Sequence, residues 1–225
     1  MPRMISLAIL SAGMALASPS YAATTVTFTP GASAPANGQT VVYDFDSSVP
    51  ASLVTSPLVQ IKSGPADANG APPANSLIKG TNYLSVLGGG LASILFAAPV
   101  SAFSFDWGSL DTYNILTILP LNEDSIVIPG TTFTNTAADG NQVAAGTNGL
   151  LSVVGTGGTR FLGFELATTT NSFEIDNVAT VAASGAVPEP AAWAMMIVGI
   201  GAVGFAMRRR GVVMQVSHAA PDRSV

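Results

Sequence analysis

Four oxygen-bearing residues in this chain have the types and spacing to hold a hard cation. Asp44 and Asp46 stand two apart in Thr40 to Asp46, a segment that alternates like a strand and so turns both carboxylates to one face. Unneutralised carboxylates on one face repel, and calcium, which takes oxygen ligands, relieves that. If the first and last strands pair, Asp176 and Asn177 add two further ligands. Solvated carboxylates on a strand face or in a turn are the alternative, and spacing leaves both open. Trp107 and Tyr113 carry a second chemistry, since sugar C–H faces pack on aromatic rings and the two form a candidate carbohydrate contact. Phe103, Phe105 and Trp107 also share one face by period-two alternation, the normal content of a sandwich interior, which favours core packing over a sugar contact.

Catalysis has little to work with. The chain has no cysteine, so thiolate chemistry and disulfides are excluded, and its one histidine, His218, lies in the C-terminal tail. A glycosidase acid and base would have to come from pairs such as Asp106 and Asp111, or Glu165 and Glu174. Eleven acids between residues 23 and 187 make such pairs by chance. The expectation is a protein that is not an enzyme. Only 9% of the 225 residues are charged, against about a quarter in a soluble domain. Between residues 23 and 187, Lys62, Lys79 and Arg160 face those eleven acids, a balance that repels phosphate backbones and argues against nucleic acid.

These residues need a scaffold. Short apolar or alternating segments recur between turn residues: Thr24 to Thr29, Thr40 to Asp46, Tyr83 to Leu87, Ala92 to Ala97, Val100 to Trp107, Tyr113 to Leu119, Ser125 to Ile128, Leu150 to Val154, Arg160 to Leu166 and Ser172 to Val181. No amphipathic helix interrupts them. The spacing predicts an all-β body over residues 23–183, an antiparallel β-sandwich or jelly roll. Gly64 to Pro73 reads as a surface loop.

The ends read as addresses. Arg3, the apolar stretch Met4 to Ala17 and small residues at Ser20 and Ala22 predict a signal peptide over 1–22, cut by signal peptidase between Ala22 and Ala23. At the other end a linker over 184–190 leads through Pro188-Glu189-Pro190 into the apolar run 191–207 and then Arg208, Arg209 and Arg210. Seventeen helical residues span about 25 Å, at the short end for a membrane helix. The arginines would stay cytoplasmic by the positive-inside rule, so 191–210 is expected to span the membrane, 211–225 to form a cytoplasmic tail, and the body to lie outside. Within the run, Gly199, Gly201 and Gly204 fit G-x-G-x-x-G, but without the strand and βαβ unit that fingerprint requires.

Pro188-Glu189-Pro190 with Trp193 and Ala194, a short apolar helix and an arginine cluster resembles the PEP-CTERM sorting signal in its P-E-P-x-x-W-A form. That resemblance implies recognition by exosortase, a multi-pass membrane protease of Gram-negative bacteria that make extracellular polysaccharide. It covers residues 188 to 210, and here the chain runs fifteen residues beyond the cluster. Phe103 to Asn114 together with Phe173-Glu174-Ile175-Asp176-Asn177 is similar to a group of exosortase-dependent surface proteins with F-x-W-G-S-x-D-x-Y-N and F-E-I-D-N strands. What this implies is a surface or biofilm-matrix protein with a sandwich body and no transferable catalytic residues. A membrane-anchored, calcium-dependent carbohydrate-binding module is the alternative.

Overall fold

Alternation of aromatic and small polar residues drives the central strand, and the other strands assemble on it. The computed structural model describes residues 22–76, 82–182 and 190–209. These form β1 (Ala23–Pro30), β2 (Thr40–Tyr43), β3 (Val59–Ser63), β4 (Asn82–Val86), β5 (Leu91–Gly108), β6 (Asn114–Pro120), β7 (Ile126–Pro129), β8 (Gly149–Thr156), β9 (Phe161–Thr168) and β10 (Phe173–Ala182). A single 3-10 turn, Gly130–Thr132, follows β7, and helix α1 covers Pro190–Arg209. Every ladder is antiparallel, so the all-β, antiparallel expectation holds. The strands join in one ten-stranded sheet whose main path runs β3-β4-β10-β5-β9-β6-β7, with β2 added to β10 and β8 joining β1 to β5.

The first and last strands do not pair, although β2, the strand that leads to Asp44, does lie along β10. β1 lies along β8, from Ala23 opposite Thr156 to Pro30 opposite Gly149. β10 is already flanked by β5 on one side and by β4 and β2 on the other, so it has no edge left for β1.

β5 doubles back within its own length. Phe164 on β9 is the register partner of Ile94, yet its ring stacks 5.1 Å from that of Phe103. Nine residues of straight strand would hold Ile94 and Phe103 about 30 Å apart, too far for one phenylalanine to touch both. The bend falls at Phe96 to Pro99, where the ladder to β9 slips between Leu95 and Val100. Proline cannot donate to a ladder, which places it naturally at such an irregularity. One half of β5 therefore lies in a limb with β9, β6 and β7, and the other half in a limb with β8, β1, β10 and β4. The inner faces of the two limbs pack together through Phe103, Phe105, Phe161, Phe164, Leu116 and Ile118, all fully buried.

Helix α1 belongs to a different compact unit from the β body. Proline is tolerated at its first turn, where no backbone partner is lost. Met195, Ile197, Val198, Ile200 and Val203 on it are exposed. The helix stands where the sequence places the 191–210 segment. Among the described residues, however, no helix is long and apolar enough to cross a membrane.

Candidate functional site

The outer face of the β10 limb is polar, and it is buried. Asp106 and Gly108 on β5 lie opposite Asp176 and Glu174 on β10, and Ser85 on β4 lies opposite Glu174. Glu174 is 0% exposed. Loops cover this face and supply its hydrogen bonds. Asp106 Oδ1 accepts the Ala34 amide at 2.6 Å, and its Oδ2 accepts Asn177 Nδ2 at 2.9 Å and Ser33 Oγ at 3.4 Å. Glu174 accepts the Ala71 amide at 3.1 Å, Ser109 Oγ at 2.7 Å and the Ser172 hydroxyl. Asn148 Oδ1 accepts the amides of Ala74 and Ser109 at 3.0 and 3.2 Å. The segment read as a surface loop, Gly64 to Pro73, is exposed along most of its length, and through Gly70, Ala71 and Pro73 it is also part of the cover. At Gly70, φ is 138° and an added Cβ would stand 2.7 Å from Ser85 Oγ and 3.0 Å from Glu174 Oε1. Only glycine fits that approach.

The expected calcium ligands are not assembled. β2 ends at Tyr43, and Asp44 begins a turn instead of continuing the strand. Its Oδ1 accepts the amides of Asp46, Ser47 and Ser48 at 3.2, 2.9 and 2.8 Å, and its Oδ2 accepts Ser47 Oγ at 2.7 Å. Its slight burial raises the pKa of Asp44, but the hydrogen bonds from Ser47 and Ser48 outweigh that and hold it far below the usual carboxylate range. An aspartate that accepts backbone amides in this way organises its own turn. Asp46 Oδ1 instead takes the Asn82 amide at 3.0 Å, tying the turn to β4. Asn177 occupies a bulge in β10 at φ 51°, and its Nδ2 donates to Asp106 and to Ser76 Oγ. Asp176 Oδ1 accepts the amide of Asn177 at 2.7 Å. Among the described residues no group of three or more His, Cys, Asp or Glu is placed to hold a metal ion.

The carbohydrate contact read from Trp107 is also corrected. Trp107 is 0% exposed. Its ring stacks on Phe173 and meets Phe28 and Phe133 edge-on, so no sugar face reaches it. Tyr113 is partly exposed, and its hydroxyl lies within hydrogen-bonding reach of the Asn171 carbonyl, 3.1 Å away, and of Asp111. Burial first, then the Asp111 carboxyl, holds its ionisation far above the usual tyrosine range.

The acid pairs formed by the fold differ from those suggested by spacing. Glu165 lies on β9, half-buried between the buried Phe164 and Leu166, whereas Glu174 lies on β10. Asp106 interacts with Asp176 and Asp111 with Glu174, while Asp139 also acts on Asp111, and Asp46 and Asp44 on Asp176. Burial, the largest cause, raises Asp106, Asp111, Glu174 and Asp176 above the normal range. None opens into the cavity of about 380 Å³ at the β5 bend, whose lining of Val42, Tyr43, Phe96, Pro99, Val100 and Thr180 with three alanines carries no charge.

Sequence reasoning assigned no role to Ser109 or Asn148, because a serine after glycine and an asparagine before glycine read simply as turn residues. The only signal was the polar alternation of Ser104, Asp106 and Glu174, Asp176, which looks like a solvent face unless its cover is known.

At the ends, β1 begins at Ala23, so a cut between Ala22 and Ala23 spares the whole sheet. The signal peptide, Pro188, Glu189, Arg210 and the 211–225 tail lie outside the described residues. Pro190, Trp193, Ala194, Arg208 and Arg209 fall on α1.

The PEP-CTERM protein-sorting motif matches residues 186–210. No curated protein matches the chain significantly. Among solved structures, the enzymatically active domain of bacteriophage CBA120 tailspike protein 4 aligns with 58% of this chain and 18% of its own, at 15% identity and a TM-score of 0.30. The catalytic domain of a GH87 alpha-1,3-glucanase, in complex with tetrasaccharides, aligns with 61% of this chain and 29% of its own, at 14% identity and a TM-score of 0.29. Likenesses this weak carry no argument about fold or activity, and the chain spans less than a third of either protein.

The chain therefore carries the C-terminal signal of an exported protein that is processed by an exosortase membrane protein and sorted to the cell surface.

Proposed function

We propose that this is a non-enzymatic surface or extracellular-matrix protein of a Gram-negative bacterium, sorted through its C-terminal signal into a polysaccharide-rich matrix. The observation that carries the reading is the sorting motif at 186–210 lying over a helix, Pro190–Arg209, that begins at the P-E-P segment and ends in arginines. Proline disfavours helix at the residue before it, which favours an extended approach whose backbone is open to a protease. The apolar run 191–207 serves as a short, transient membrane span, held by Arg208 to Arg210 on the cytoplasmic side. The body is a β-sandwich-type module of the exosortase-dependent surface class. Its lack of catalysis is supported by carboxylates that are covered by loops and by a cavity that offers neither acid nor base.

The test is the intact mass and C-terminal peptide of the protein recovered from cells and medium, with and without the host's exosortase. Chains ending near Pro190 only when the enzyme is present support the sorting route. Chains that run through Arg210 in both hosts overturn it. Release of sugar from any glycan by the purified protein would refute the non-enzymatic reading.

A further inference from the structure

Asp106 and Asp176 are directly opposed in the β5–β10 ladder, so both carboxyl groups leave the sheet on one face. They are 1% and 5% exposed. Their hydrogen bonding is unequal. Asp106 accepts from the Ala34 amide and from the side chains of Ser33, Ser76 and Asn177. Asp176 accepts from the backbone of the residue that follows it. The charged groups acting on Asp176 from neighbouring elements are Asp106 on β5 and Asp46 and Asp44 in the β2–β3 connection, all acidic. Glu174 is the next residue on the same face of its own strand. Of the basic residues in the described body, Lys62 pairs with Asp67 and Arg160 donates to the Gly158 and Thr159 carbonyls. Lys79 lies outside the described residues.

Adjacent carboxylates shielded from water cannot both ionise cheaply. We propose that the folded body holds Asp106 and Asp176 as a pair carrying one negative charge, so that folding takes up a proton and mild acid strengthens the cover over this face. The proton resides on Asp176, because the four donors at Asp106 favour its ionised form. Burial, reinforced by the charges of Asp106, Asp46 and Asp44, pushes Asp176 up to about 8. Burial raises Asp106 too, with its hydrogen bonds acting against that rise. The unfolded aspartate titrates near 3.8. The stability this proton provides is therefore complete below about pH 4 and is lost as pH rises through about 8. A second charge on this face bears on Asp106, which ties Ser33, Ala34 and Ser76 to the sheet.

The experiment is urea unfolding of the full chain in mild detergent, followed by tryptophan fluorescence from pH 4.5 to 9, for the wild type and Asp176→Asn. The wild-type folding constant should fall with rising pH more steeply than that of the variant, by up to about tenfold per pH unit. The two profiles should converge at the acid end. Parallel profiles overturn the proposal. Should the variant fail to fold, carbon-13 carboxyl titration of the wild type decides. An Asp176 midpoint at or above pH 6 supports the pair, and one below pH 6 overturns it.

Discussion

The Trp107 ring lies 4.4 Å from that of Phe173 and within 16° of parallel, and this contact joins the two most distinctive segments of the body. Trp107 and Ile175 are register partners, so the F-x-W-G-S strand and the F-E-I-D-N strand form one feature with two faces. One face is aromatic and fills the core. The other carries Asp106, Glu174 and Asp176 beneath the loops.

Removing that aromatic contact should cost the fold heavily. Trp107→Ala deletes a fully buried ring with four aromatic neighbours, Phe28, Phe105, Phe133 and Phe173, and truncations of this kind cost about 3–5 kcal/mol. Trp107→Phe should cost less, because it keeps part of the stack with Phe173. Chemical denaturation of both variants checks the order. Equal stabilities for Trp107→Ala and the wild type would show that the ring is not packed as described.

Asn177 tests the polar face. It adopts a left-handed backbone conformation that asparagine tolerates better than most residues. Asn177→Ala leaves Asp106 and Ser76 short of a donor, with an expected loss of about 2 kcal/mol. Asn177→Asp puts a third carboxyl beside Asp106 and Asp176 and should be worse above pH 7 than at pH 5. Melting temperatures at both pH values separate the two effects.

The sequence made the aromatic alternation legible, and with it the interior face of β5. It also located most strands, because alternation and turn residues are local signals. Other features lay outside its reach for identifiable reasons. Pro99 read as a gap between two strands, whereas β5 bends there and continues. Asp44 read as the end of a strand because period-two spacing says nothing of an aspartate that accepts hydrogen bonds from Asp46, Ser47 and Ser48. β3, Val59–Ser63, did not stand out from the Ser and Pro residues that flank it. The pairing of β1 with β8 brings together residues more than a hundred positions apart, which no local pattern encodes. Buried acids were the largest miss, since what removes them from water is a set of loops and not the strands themselves.

Gly70→Ala tests whether the 64–76 segment is a fixed cover. The added methyl meets Ser85 Oγ and Glu174 Oε1 in a conformation that side chains rarely adopt. The expected cost is about 1–3 kcal/mol. Gly64→Ala is a comparison that meets no neighbour within 4 Å, though it is also strained by a φ of 91°. Greater loss at Gly70 than at Gly64 in urea unfolding would isolate the steric part. Equal losses would mean that the segment is not seated on the sheet.

Tyr83 gives a prediction of opposite sign. Its hydroxyl is buried with no hydrogen-bond partner among the described residues. Burial, with the charges of Asp67 and Glu174 adding to it, pushes its ionisation up to about 12. Tyr83→Phe removes an unsatisfied group and should leave stability unchanged or raise it by up to about 1 kcal/mol. The pH dependence has a definite direction. An unfolded tyrosine ionises near 10, so the stability this residue protects is complete below pH 10 and is lost as pH rises through about 12. The variant should therefore resist alkaline unfolding better than the wild type between pH 10 and 12. A loss of stability at neutral pH would mean that the hydroxyl has a partner.

The arginines that end α1 provide the test of placement. On the proposed route they hold the C-terminal end of a short span on the cytoplasmic side, at a position where the apolar run has little length to spare. Replacing Arg208, Arg209 and Arg210 together with glutamine removes that stop without changing the P-E-P segment or the body. Full-length chains should then appear outside the inner membrane, with the chain ending near Pro190 reduced, since a protease in the membrane acts on what is held there. Fractionation followed by intact mass reads both effects. The β body should keep its unfolding midpoint, because it ends before the linker. If fractionation and processing match the wild type, the arginines are dispensable and retention must come from the apolar run alone.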